Sequence, residues 1–318
     1  MLLFLLVLVG LLFLYRWYRQ SQILENLSDK YVFITGCDTG FGNLLAKQLD
    51  KRGMKVLASC LTNEGAENLK KETSSRLQTV ILDITQSQSV SSAAKLATNI
   101  VGDEGLWGLV NNAGSGLSLA PNSWQTKEDF AKVLDVNLLG PFDLTVNLLP
   151  LLIKARGRIV NVSSCAARLS ITGGGYGPSK FGVEALSDSL RRELHDFGVK
   201  VSIIEPGAFQ TKMCTKEPHL KNLERLWSNV SSQMKDYFGE QYYQKYAQGL
   251  VHIFSSASPK LHQVTDCMEH ALTAVHPWTR YAPGLDAKLY YIPLSYVPTV
   301  LSDYELCRSS PKPAHCLM

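Results

Sequence analysis

Tyr176 and Lys180 stand four residues apart, which places them on one face of a helix, and Ser164 precedes them by a short loop. That spacing can turn a phenol into an acid/base. A phenol with a pKa near ~10 is a poor base at neutral pH, but an ammonium one helical turn away favours the phenolate. A serine hydroxyl beside it can hydrogen-bond a substrate oxygen. An alcohol whose hydrogen leaves as hydride needs both groups, because its hydroxyl proton must go elsewhere. The trio therefore predicts carbonyl–alcohol redox chemistry. Ser163 adjoins Ser164 and is the alternative for the serine role.

Such chemistry needs a hydride acceptor, and the other end of the chain carries a motif suited to one. Tyr31-Val-Phe-Ile34 reads as a strand, Thr35-Gly36-Cys37-Asp38-Thr39-Gly40-Phe41-Gly42 as a glycine turn, and the residues from Asn43 as a helix. Gly36, Gly40 and Gly42 let the backbone turn tightly and approach a pyrophosphate, which the first amides of the helix then face. A plain strand-to-helix turn would use similar residues, so the motif gains weight from the trio downstream. Further apolar strand candidates occur at 31–35, 55–60, 79–82, 107–111, 157–162 and 200–204, separated by segments of helical period. This βαβ repetition specifies an α/β doubly wound parallel sheet with a cofactor at the carboxyl ends of its strands. Asp83 directly follows a strand there and could accept from an adenine amino group or simply cap the strand end. Asn111-Asn112-Ala113-Gly114 ends another strand, close enough for the chain to pass beneath a cofactor.

Taken together, Thr35-Gly-x-x-x-Gly40-x-Gly42, Asn111-Asn-Ala-Gly114, Asn137 in Asp-Val-Asn-Leu-Leu-Gly, Ser164, Tyr176-x-x-x-Lys180 and Pro206-Gly207 resemble the short-chain dehydrogenase/reductase family over about residues 28–280. The sequences at 56–62, 105–114 and 187–194 are similar to the membrane-bound retinol and 3α-hydroxysteroid dehydrogenase branch. Gly177-Pro178 and Thr39 depart from that branch without removing a chemical group. The resemblance implies a Rossmann fold, with Tyr176, Lys180, Ser164 and Asn137 catalytic and Ser164 touching substrate. It also implies that Lys180 binds the nicotinamide ribose and that Asn137 holds a water completing a proton relay. The cofactor would be held by Thr35, Gly36, Asp38, Thr39, Gly40, Phe41, Gly42, Asp83, Asn111, Ala113, Gly114, Tyr176, Lys180, Pro206 and Gly207. Dimers or tetramers are usual in the family. The substrate would be a retinoid alcohol with 3α-hydroxysteroids beside it. A steroid as principal substrate and a dinucleotide-binding scaffold without turnover are the alternatives, and the intact Ser/Tyr/Lys/Asn set argues against the second.

Cofactor choice rests on the end of the second strand, Ser59-Cys60-Leu61-Thr62. No Lys or Arg occurs from 56 to 69, so a 2′-phosphate finds no cation there, and NAD is favoured over NADP. No acid stands at that tip, although Glu64 is near. After Pro206-Gly207, residues 208–264 form a long insertion rich in Phe209, Trp227, Tyr237, Phe238, Tyr242, Tyr243 and Tyr246. An aromatic lid over an apolar pocket suits a bulky lipophilic alcohol, while the plainer reading is a helical segment packing its own core.

The chain of 318 residues, 45% hydrophobic, can bury a large core, and its net charge of +4 has no basic block dense enough for nucleic acid. Seven scattered cysteines lack metal-ligand spacing and favour free thiols in a reducing compartment. Cys267 and His270 read as a core cysteine and a surface histidine. Residues 1–14 are almost wholly apolar and are followed by Tyr15-Arg16-Trp17-Tyr18-Arg19, so 1–20 reads as an uncleaved membrane anchor. Arg16, Arg19 and Lys30 lie after it, which puts the catalytic domain on the cytoplasmic face; the family branch implies the endoplasmic reticulum. In 281–318, the apolar stretch 289–301 is broken by Pro293 and Pro298, consistent with a segment lying in membrane lipid or covering a pocket or partner. The last residues, from Arg308, are polar and expected to be disordered.

Overall fold

The run Val32-Phe33-Ile34 is fully buried, as a strand covered on both sides must be. In the computed structural model, which describes residues 2–117 and 119–316, it belongs to β1 (Tyr31–Ile34). The others are β2 (Lys55–Cys60), β3 (Leu77–Ile81), β4 (Gly108–Asn111), β5 (Arg158–Val162), β6 (Lys200–Ile204) and β7 (Arg280–Tyr281). All pair in parallel in the order β3-β2-β1-β4-β5-β6-β7. The sequence pattern misses β7, because two residues are too short to show a period.

Helices cover both faces. In chain order they are α1 (Leu2–Ser21), α2 (Gly40–Lys51), α3 (Asn63–Lys71), α4 (Ser87–Val101), α5 (Lys127–Leu134), α6 (Gly140–Lys154), α7 (Tyr176–Glu193), α8 (Lys216–Asn229), α9 (Ser232–Phe238), α10 (Glu240–Ser255), α11 (His262–Thr273), α12 (Ile292–Leu294) and α13 (Thr299–Cys307). Leu45, Leu49, Leu69, Met268 and Leu272 from α2, α3 and α11 pack on one side of the sheet. On the other, Val90, Leu144, Leu148 and Leu190 come from α4, α6 and α7. Strand order reverses between β1 and β4, which opens a crevice at their carboxyl ends.

The continuous helical stretch Lys127–Lys154 is long and apolar enough to cross a membrane. It is a core helix all the same, since Leu144, Leu148 and Leu152 are fully buried against the sheet. The described apolar side chains of α1 are exposed, Phe4 by 74% and Phe13 by 70%. Its end is tied to the domain: Leu24 N donates to Thr273 O, Val275 N to Gln22 O, and His270 reaches Gln20 O at 2.8 Å and the Tyr281 hydroxyl at 2.8 Å. His270 is therefore a half-buried bridge and not the surface histidine its sequence context suggests. Among the described residues no group of His, Cys, Asp and Glu could hold a metal ion.

The carboxyl-terminal stretch is also ordered by contact. Pro293 and Pro298 break it into α12 and α13, and Asp286 Oδ2 accepts from Ala208 N at 2.7 Å. Disorder from Arg308 onward is corrected as well: Ala314 N donates to Phe238 O and His315 N to Tyr237 O. The short α9 ends with free carbonyls, and these amides satisfy them. Met1, Leu317 and Met318, the outermost residues of the two terminal segments, lie outside the described residues.

Candidate active site

The crevice is a cleft of about 540 Å³ running along the carboxyl ends of β1, β2, β4 and β5 and closed by the loop after Pro206-Gly207. Thr35, Gly36, Asp38, Thr39, Gly40, Phe41, Asp83, Ala113, Gly114, Ser163, Ser164, Tyr176, Lys180, Pro206 and Gly207 all line it. Gly36 has φ +71°, and a Cβ there would lie 2.9 Å from Ala113 Cα. Thr35 fixes the two turns to each other, its Oγ1 accepting from Asn112 N and Ala113 N at 2.9 Å each.

Gly42 and Asn111 stand away from the cleft. A Cβ on Gly42 would lie against the Gly36 carbonyl oxygen and 2.5 Å from Asn112 Nδ2, so this glycine lets α2 pack onto the turn. Asn111 points into the core, where its Nδ2 donates to Asn161 Oδ1 at 2.8 Å and Thr145 Oγ1 at 3.0 Å. The residue that faces the cleft is Asn112. An alternating strand sends neighbours to opposite sides, which a motif read as one block obscures.

Two carboxylates at the cleft also hold neighbouring backbone. Asp83 Oδ1 accepts from Thr85 N at 3.0 Å and Thr85 Oγ1 at 2.7 Å, the strand-end cap that is one of its two expected roles, while the residue also lines the cleft. Asp38 leaves the glycine turn and reaches the tip of β2, accepting from Leu61 N at 2.8 Å and from Thr62 N and Oγ1 at 3.0 and 2.8 Å. An acid does stand at that tip, contributed by a different strand-to-helix turn.

The trio assembles at the cleft floor. Ser164, just after β5, lines the cleft beside Tyr176, and its Oγ accepts from Ala166 N at 3.1 Å. The Ser163 hydroxyl is engaged elsewhere, its Oγ donating to Lys180 O at 3.3 Å. Lys180 is buried, and its Nζ donates to Val162 O at 2.9 Å while sitting 5.8 Å from the Tyr176 ring centroid. Burial pushes the phenol up to about 12, opposed by the neighbouring Ser164 hydroxyl, and pulls the ammonium down to about 8. In the protein alone, then, desolvation outweighs the lowering of the tyrosine that the spacing predicts, because the ammonium is held on a backbone carbonyl and not on the phenol oxygen.

Asn137 sits in a π-helical turn, Asp135–Leu139, between α5 and α6. The extra residue of that turn swings its side chain inward, where Nδ2 donates to Ser115 O and Ser179 Oγ at 2.9 Å each and Oδ1 accepts from Ser115 N at 2.7 Å. It joins α7, one residue before Lys180, to the loop after Gly114.

Behind the serine lies a buried charge cluster that the sequence analysis misses. Arg168 Nε donates to Glu205 Oε1 at 2.5 Å and Arg280 pairs with Glu184 at 2.8 Å. Burial and the neighbouring Glu205 raise the Glu184 carboxyl. These four residues come from four distant segments, so no local spacing reveals them. Thr211, Lys212 and Met213 on the closing loop and His219 at the start of α8 are likewise missed, the only signal being their place after Pro206-Gly207.

Of the aromatics in the insertion, Phe209 alone lines the cleft. Trp227, Phe238, Tyr242, Tyr243 and Tyr246 surround Trp124, with Trp227 stacked on Tyr243 at 5.4 Å. The aromatic lid is thus a helical layer with its own core, while the cleft wall is made by Met213, Cys214, Pro218 and His219.

A parallel α/β sheet with a glycine turn at its switch point and a Ser/Tyr/Lys trio at its floor defines an oxidoreductase of the dinucleotide-binding kind. The chain belongs to the short chain dehydrogenase family, whose profile matches residues 30–221, and is a dehydrogenase acting on CH–OH donors. It is 55% identical over 315 residues to retinol dehydrogenase 7 of Rattus norvegicus and to retinol dehydrogenase 16 of Homo sapiens, covering 99% of this chain and 99% of each relative. Identity to short-chain dehydrogenase/reductase family 9C member 7 of Mus musculus is 53%, over 95% of this chain and 96% of that one. Among solved structures, a short-chain dehydrogenase from Streptomyces avermitilis aligns with TM-score 0.70 at 24% identity, covering 87% of this chain and 96% of that one. One from Burkholderia phymatum in complex with NAD aligns with TM-score 0.69 at 21% identity, covering 92% and 100%.

Proposed function

We propose that this protein oxidises a lipophilic alcohol with NAD, retinol to retinal foremost and 3α-hydroxysteroids in addition, while anchored by α1 in the endoplasmic reticulum membrane with its catalytic domain cytoplasmic. The observation that carries this reading is the meeting of Ser164 and Tyr176 in the cleft beside buried Lys180, in a chain 55% identical to retinol dehydrogenases from end to end.

The residues fit a dinucleotide. Gly36 and Gly40 line the turn with positive φ, Phe41 and Thr39 stand beside them, and Asp38 presents a carboxylate at the tip of β2. That carboxylate suits a ribose 2′-hydroxyl and repels a 2′-phosphate, which supports NAD over NADP. When bound, the nicotinamide supplies the hydride acceptor. Ser164 orients the substrate oxygen and Tyr176 takes its proton as the carbonyl forms. Lys180 favours the phenolate once its ammonium faces the tyrosine, and Asn137 keeps Lys180 and the Gly114 loop in register. Met213, Cys214, Pro218 and His219 give the cleft a largely apolar mouth, in keeping with a hydrocarbon substrate.

Microsomal protein offered all-trans-retinol, 9-cis-retinol and androstanediol with NAD or NADP, beside Tyr176→Phe, tests this. NAD-dependent turnover of retinol that the variant loses supports it. Silence with every alcohol despite dinucleotide binding overturns it, and a higher kcat/KM for the steroid makes the steroid the principal substrate. Glycan on exposed Asn229 in an Asn-x-Ser sequon would put the domain in the lumen and overturn the orientation.

A further inference from the structure

Four cations, Arg19, Lys30, Arg158 and Lys200, converge with His276 where α1 meets the sheet, at the edge opposite the cleft. Arg158 and Lys200 are register partners at the start of β5 and β6. Arg19, in the last turn of α1, reaches His276 with Nη2 3.1 Å from Nδ1, and Lys200 Nζ donates to Val275 O at 2.7 Å. Arg158 is 3% exposed and lies over the Trp107 ring at 4.9 Å, with the Lys30 ammonium over the same ring at 4.7 Å. Pairing of residues 22–24 with 273–275 locks these groups together.

The cluster lacks its counter-charge. Among the described residues, none of Arg19, Lys30, Arg158, Lys200 and His276 forms an ion pair with a carboxylate. The Nε of buried Arg158 has no hydrogen-bond partner at all. Mutual repulsion is felt across the group: after burial, the causes lowering His276 are Arg19, Lys200 and Arg158, and those lowering Lys200 are Arg158 and Arg19. Buried unpaired charge is costly, so a site of this kind is completed by an anion.

Its position selects the anion. The cations begin where the exposed apolar side chains of α1 end, beside Trp17 and Tyr18, which are 69% and 59% exposed. Aromatic rings followed by fixed cations are the order met on leaving hydrocarbon for the headgroup layer.

We propose that Arg19, Lys200 and His276, with Arg158 beneath them, form a binding site for the phosphate of an anionic phospholipid headgroup. The proposal rests on the reading of α1 as a membrane anchor. The site fixes how the catalytic domain stands on the membrane and distinguishes anionic from zwitterionic lipid.

The test uses the full chain in nanodiscs of phosphatidylcholine with or without phosphatidylserine, followed by lipid retention through detergent exchange. Selective retention of phosphatidylserine is expected, falling about fivefold for each cation removed in Lys200→Gln and Arg19→Gln and restored by Lys200→Arg. Dinucleotide binding by the same variants, unchanged, reports that they are folded. Equal retention of both lipids, or no loss in the variants, overturns the proposal. Competition by millimolar inorganic phosphate in lipid-free detergent, without lipid selectivity, overturns it in favour of a soluble anion. Alkaline carbonate extraction is read in parallel: release of the wild-type protein sinks the anchor itself, whereas retention without lipid selectivity sinks only the headgroup site.

Discussion

Asp38 of the glycine turn holds the backbone of Leu61 and Thr62 at the tip of β2, through hydrogen bonds of 2.8 and 3.0 Å to the two amides. One carboxylate therefore holds Thr62, whose Oγ1 caps α3 by accepting from Gly65 N at 3.0 Å, and sets the charge where an adenosine ribose would lie. Asp38→Asn keeps the size and loses the charge. Charge-assisted bonds of this kind are worth about 1.5–3 kcal/mol, so the variant should melt lower and its kcat/KM with NAD should fall about tenfold or more. Its NADP/NAD ratio should rise. An unchanged ratio in steady-state kinetics would remove Asp38 from cofactor selection.

Lys180 gives a pH signature. Its pKa is pulled from 10.5 to about 8 by burial, so the folded protein binds fewer protons than the unfolded chain between those values. Stability from this group therefore rises as pH climbs through about 8 toward 10.5, and the burial penalty is fully present below 8. Lys180→Met should be stabilised relative to wild type at pH 7, on the order of 2 kcal/mol, with the advantage shrinking by pH 10. Denaturation at the two pH values measures the difference. An advantage that grows with pH would contradict the burial argument. The same variant should lose turnover by about 10²-fold or more.

Gly42 is a packing glycine. Gly42→Ala drives a methyl into the Gly36 carbonyl and Asn112 Nδ2, the latter held by donating to Thr35 O at 2.8 Å and to that same Gly36 carbonyl at 3.2 Å. Overpacking of this kind costs about 1–3 kcal/mol. The glycine turn should open with it, and dinucleotide affinity measured by calorimetry should fall together with Tm. Loss of Tm with affinity intact would show that the turn tolerates the shift.

Arg168 and Glu205 tie the serine loop to the strand end preceding Pro206-Gly207. Arg168→Ala leaves Glu205, 2% exposed, without this partner, and breaking a buried pair costs about 3–5 kcal/mol. Arg168→Ala/Glu205→Gln should recover much of that loss, since the stranded charge is gone. Urea denaturation of the single and double variants decides; a double variant no better than Arg168→Ala would mean that Glu205 is satisfied by Arg280 alone.

The chemistry-bearing residues and the parallel sheet were legible because both are local. A helical period puts Tyr176 and Lys180 on one face, and a buried parallel strand reads as an apolar run whatever it packs against. Asp38 at the tip of β2, Asn112 in place of Asn111 at the cleft, the Arg168–Glu205 and Arg280–Glu184 pairs, and the turning of the lid's aromatics toward Trp124 were not legible. Each depends on which segments the crossovers bring side by side. The burial of Tyr176 and Lys180 is of the same kind, since desolvation is set by everything packed around a group and spacing reports only its neighbours along the chain. Sequence alone determined which groups could carry a proton and where the chain could turn; tertiary structure decided which charges are paired, which are buried, and which side chains face the cleft.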